Sequence, residues 1–83
     1  MSPNDIITHL RREPFQPIQI CMSDGTVYEV PHPEFALVTR TTVAIALRLT
    51  DGELPDHMVY CDPLHITRIL PAVNGSSPAR DTR

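Results

Sequence analysis

The chain has 83 residues, enough for one domain at most, and its formal charge is −3. All seven basic residues are arginine, and an acidic chain without a basic run is a poor general binder of nucleic acid. No stretch approaches the ~20 apolar residues of a membrane helix, and the opening "MSPNDIITHLRRE" lacks the positive start and apolar run of a signal peptide.

The first predicted element is a short helix. Ser2 suits the N-cap, and Pro3 suits the first helical position, where its missing N–H costs nothing. Asp5 places a negative charge near the positive helix end, and Ile6, Ile7 and Leu10 form one apolar stripe. Arg11 and Arg12 fall in the last turn, and Pro14 is expected to stop the helix at about Glu13.

The period then changes from helix to strand. Ile18, Ile20 and Met22 alternate with Gln19 and Cys21, which predicts a half-buried strand. Asp24 and Gly25 give the strongest hairpin signal in the chain. The return strand turns Tyr28 and Val30 to one face and Val27 and Glu29 to the other. Pro31 and Pro33 bracket His32 and break the ladder, because neither carries an N–H. A strand is expected to resume over residues 34–39. "VAIALRL" then alternates cleanly, with Val43, Ile45, Leu47 and Leu49 inward, and reads as a central strand. Residues 50–56 form a polar loop. Met58 and Tyr60 alternate with Val59 and Cys61 in the next strand, Asp62 and Pro63 interrupt it, and residues 65–70 form the last.

One helix followed by five or six antiparallel strands predicts a mainly β fold, an SH3-like or Sm-like small barrel or a sharply bent sheet. The domain covers residues 1–71. The tail, residues 72–83, is rich in Gly, Ser and Pro and is expected to be disordered. The expected core is Ile6, Leu10, Ile18, Ile20, Tyr28, Val30, Leu37, Val43, Ile45, Leu47, Tyr60, Ile66 and Ile69.

The stretch "DHMVYCDPLHITRIL" holds two histidines and a cysteine and raises the question of a metal or thiol site. A zinc site wants four ligands, often as two close pairs. In a strand, His57 and Cys61 lie about 13 Å apart, too far for one ion. A nucleophilic cysteine needs a base and a group to orient that base. Cys61 with His65 and Asp62 is the one such arrangement, against the plainer reading of Cys61 as a small buried hydrophobe. Two cysteines make no disulfide framework, and both are expected to be reduced in a cytoplasmic protein. No cofactor motif occurs, and no catalytic or metal-ligating residue is assigned. The residues singled out for binding are Arg11, Arg12, His32, Arg40 and His65: the arginines as phosphate or partner contacts, His32 because two prolines hold it rigidly.

Two resemblances follow. "RREPFQPIQICMSDGTVYEVPHPEFALV" and the later "LHITRI" resemble a group of short bacterial proteins without an assigned function. The likeness covers about residues 8 to 70 and implies a shared fold and no activity. "LRRE", the Asp24–Gly25 hairpin and "MVY" are similar to the bacterial Sm-like RNA chaperone, whose fold implies rings built by pairing edge strands. That family's tyrosine-lysine-histidine motif aligns with Tyr60, Cys61 and Asp62 here. The basic residue is replaced, so the resemblance implies architecture and no RNA-contacting residue. The leading expectation is a non-enzymatic, self-associating interaction module that forms homo-oligomers through its edge strands or takes a protein partner. The alternatives are a nucleic-acid-binding small barrel using Arg11, Arg12 and Arg40 and a metal or thiol enzyme using His32, Cys61 and His65.

Overall fold

The computed structural model describes residues 1–72; the tail expected from residue 72 onward lies, beyond Ala72, outside the described residues. The helix α1 spans Pro3–Leu10. The Ser2 hydroxyl accepts from the Asp5 N–H at 3.2 Å, as an N-cap should. The helix ends earlier than the sequence predicts. Arg11 still donates its N–H to the Ile7 carbonyl at 3.0 Å, but its ψ of 6° leaves the helical path. Beyond it Glu13 precedes a proline and is pushed away from the α conformation. Ile6 is fully buried and Leu10 packs on the same cluster.

Six strands follow: β1 (Ile18–Met22), β2 (Val27–Val30), β3 (Ala36–Val38), β4 (Val43–Leu47), β5 (His57–Cys61) and β6 (Ile66–Pro71). They form two antiparallel three-stranded sheets, ordered β2-β1-β6 and β3-β4-β5. The fold is therefore mainly β with one N-terminal helix, but the sheets do not close into the expected barrel. β2 and β3, neighbours in sequence, make no ladder with each other. Pro31 and Pro33 stand between them, and neither can donate the N–H that would carry the ladder on.

In the first sheet β1 is central. Ile20 lies between Tyr28 and Ile69, and Ile18 between Val30 and Pro71. Both faces of β1 are covered, including Gln19 and Cys21, so the strand is more buried than its alternation implies. The hairpin forms where predicted. Gly25 donates its N–H to the Met22 carbonyl at 3.0 Å and sits at φ 94°, a conformation that favours glycine. In β6 the register steps from Arg68 to Ile66 across Cys21 and Met22. Thr67 is the extra residue of this bulge, and its hydroxyl donates to the Cys21 carbonyl at 3.1 Å.

The second sheet departs more from the sequence reading. A 3₁₀ turn, Pro33–Phe35, replaces the start of the expected strand, and the Phe35 N–H donates to the His32 carbonyl at 3.0 Å. The turn delivers Phe35 into the core. Leu49 lies beyond the end of β4 and is exposed rather than inward. Leu37 and Tyr60, expected in the core, are 67% and 71% exposed. Val59 and Cys61 turn inward in their place, and Cys61 joins the buried cluster. That cluster draws on the helix and both sheets. Ile6, Ile20, Val30, Val43 and Ile45 are its fully buried side chains.

Candidate functional site

The register of the second sheet decides which side chains face out. Ala44 of β4 lies opposite Leu37 of β3 on one side and opposite Tyr60 of β5 on the other. Ala46 lies opposite Met58. Alternate residues of a strand share a face, so Leu37, Ala44, Ala46, Met58 and Tyr60 line the same outward face. Ala44 is itself buried and Ala46 packs against the core cluster, so the exposed part of this face is the flanking Leu37, Met58 and Tyr60, all more than half exposed. Single exposed apolar residues are ordinary, but a contiguous set on one face marks an interaction surface. Sequence reasoning missed this surface. In "HMVYC" both alternate sets are apolar, so the period gives the strand without saying which side is inward. Leu37, in a three-residue strand, offers too short a pattern to read.

The residues singled out for binding are dispersed. Arg11 caps the C-terminal end of α1, and Arg12 borders a small recess with His9 and Pro71. Arg40 follows β3 and borders a different cavity with Pro3, at the other end of the helix. An eight-residue helix is about 12 Å long, so the arginines do not converge on one phosphate. His32 precedes the 3₁₀ turn, and its ring stands edge-on to Phe35 with centroids 5.3 Å apart. The Arg48 guanidinium lies 5.3 Å from the centroid of the same ring. His32 and Arg48 thus both brace Phe35, a packing role that the sequence does not reveal.

His65 ends a second 3₁₀ turn, Pro63–His65, whose start is capped by the Asp62 carboxylate accepting from the Leu64 N–H at 2.9 Å. The His65 ring Nδ1 lies 3.4 Å from the Ser23 hydroxyl, and the Ser23 N–H donates to the His65 carbonyl at 2.7 Å. These bonds tie the first hairpin to the turn before β6. Burial pushes the Cys61 thiol pKa up, and the Asp24 carboxylate pushes it the same way. A nucleophilic thiolate needs the opposite environment. Among the described residues, no three His, Cys, Asp or Glu side chains gather as a metal site.

Among the described residues, Asp56 is the most heavily hydrogen-bonded side chain. Its carboxylate accepts from the N–H groups of Leu49 and Thr50, from the Thr50 hydroxyl, and lies 3.0 Å from the His57 ring nitrogen. The Leu49 N–H, then the Thr50 hydroxyl and His57, hold its pKa well below the usual carboxylate range. Asp56 fixes the loop between β4 and β5 and so sets where β5 begins. Asp24 has its pKa lowered too, chiefly by the Thr26 N–H it accepts at 2.9 Å.

A cavity of about 560 Å³ opens between the start of α1, the β3–β4 turn and the second 3₁₀ turn. Met1, Pro3, Pro63 and Leu64 give it apolar walls, and Arg40 and Asp62 bring opposite charges to it. No protein-family model matches the chain, and neither a curated protein nor a solved structure matches it.

Proposed function

We propose that this protein is a non-enzymatic interaction module that self-associates through the outward face and edge of its second sheet. The observation that carries this reading is the apolar face formed by Leu37, Met58 and Tyr60 around Ala44 and Ala46. Its chemistry is that of a contact surface: large side chains over small ones, with no charged residue at those five positions. A domain this small draws only about 3–5 kcal/mol from one core, and association adds stability by mass action.

A charge on this face is the test. Tyr60→Lys leaves the core untouched because the ring is exposed, but it must be desolvated for the surface to be covered. Light scattering after size-exclusion chromatography is expected to give an assembly for the wild type and the 9.3 kDa monomer for the variant. An assembly of unchanged mass in Tyr60→Lys contradicts the reading.

A further inference from the structure

The geometry points to β5 as the strand through which two copies join, antiparallel and centred on Val59, so that two three-stranded sheets become one of six strands. This rests on the proposed self-association and names the partner as a second copy of the chain. The two sheets have four edge strands, β2, β6, β3 and β5. β2 carries Glu29, runs into Pro31 and lies against β4 of the other sheet. β6 carries Arg68, ends on Pro71 and is interrupted by the bulge at Thr67. β3 is three residues long and is approached by α1. Charge, proline, a bulge, shortness and a covering helix are the means by which natural sheets block edge-to-edge pairing. Among the described residues β5 shows none of them. It is five residues long, regular in register, and contains no proline, acid, lysine or arginine.

The register follows from three constraints. The apolar outward residues of β5 are Met58 and Tyr60. A seam that keeps them on one continuous face must pair residues of the same parity, because a one-residue slip sends every side chain to the other side. Of the registers left, the one centred on Val59 pairs all five residues of β5. It sets Met58 of each copy beside Tyr60 of the other. The outward face then runs unbroken from Leu37 through Ala44 and Tyr60 to Met58 and Ala46 of the second copy, and back again by symmetry. Each copy uses the same patch, the closed arrangement of a two-fold dimer. Asp56 and Asp62 bound the strand at either end, but each carboxylate is already committed to its own loop. A five-residue seam is small beside the roughly 800 Å² per partner of a standard interface, so the dimer is expected to depend on concentration.

Two measurements test this. The first mixes the single variants Met58→Cys and Tyr60→Cys under mild oxidation. Directly opposed residues lie about 4.5–5.5 Å apart at Cα, within disulfide reach, whereas a residue and its own symmetry mate two positions away are separated by roughly 8 Å, beyond it. The proposed register gives the mixed 58–60 disulfide in excess over either homodisulfide, with the native Cys21 and Cys61 silent because both are buried. Homodisulfides in excess overturn it. The second compares Met58→Lys with Leu37→Lys by sedimentation velocity. Leu37 sits on the same face but on the far strand. Loss of the dimer in Met58→Lys with its survival in Leu37→Lys supports the seam. Loss in both means that the faces stack, which overturns the seam and leaves self-association standing. Survival in both places the contact elsewhere and overturns the seam. A wild-type protein that is monomeric throughout overturns both readings.

Discussion

The phase of β5 is the point at which sequence and structure differ most consequentially, and it predicts two very different mutations. Ile45 is fully buried between Ala36 and Val59 of the flanking strands. Ile45→Ala removes three carbons, whose transfer is worth about 2.4 kcal/mol at ~0.8 kcal/mol each. The cavity left behind brings the expected loss to about 2–5 kcal/mol. Against a net stability of about 3–5 kcal/mol for a domain of this size, that leaves the chain marginal or unfolded. Tyr60 is 71% exposed, and truncating a side chain on an open surface usually changes stability by no more than ~0.5 kcal/mol. Urea unfolding of Ile45→Ala and Tyr60→Ala, followed by far-ultraviolet circular dichroism on dilute protein, separates the two. A Tyr60→Ala variant as unstable as Ile45→Ala would refute the reasoning, because it would turn Tyr60 inward and Val59 and Cys61 outward.

Other outcomes follow from single contacts. Asp56 is more acidic in the folded chain than in the unfolded one, where a carboxyl titrates near ~3.9. Its stabilising effect is therefore present above that value and fades as the pH falls toward its depressed folded pKa. Urea midpoints measured from pH 7 to pH 3 should decline, and Asp56→Asn should flatten that decline; an identical slope in the variant would contradict the account. Gly25→Ala meets no atom within 4 Å of its new Cβ, so the cost is that of a positive φ alone, about 1–2 kcal/mol in the same unfolding assay. Cys61 is buried with its thiol pKa raised. It should react with a thiol reagent at neutral pH at least tenfold more slowly in folded than in urea-unfolded protein, and comparable rates would reopen the thiol reading.

The strands were legible because their alternation is strong. β1, β2 and β4 each put large β-branched or aromatic residues at every second position, and Asp24 with Gly25 marks the turn between the first two. The helix start was legible from Ser2 and Pro3. Closure was not. Whether two sheets join depends on hydrogen bonds between residues far apart in sequence, and Pro31 and Pro33 mark a break without saying that no ladder reforms beyond it. Phe35 was missed as a core residue because a 3₁₀ turn shifts its phase relative to the strand that follows. The apolar face was missed because Met58 and Val59, like Tyr60 and Cys61, are neighbours of similar hydrophobicity. Only the pairing of Ala44 with Tyr60 and of Val43 with Cys61 decides which of them points out. The arginines showed the reverse error: alike in chemistry, they divide between the two ends of α1, with Arg11 and Arg12 at its C-terminal end and Arg40 beside Pro3 at its start.

Sedimentation equilibrium of the wild-type protein, from low to high micromolar concentration, tests the central claim most directly. The mass is expected to rise from the 9.3 kDa monomer toward twice that value. A mass fixed at the monomer across the whole range would contradict it, and the apolar face of the second sheet would then need another explanation.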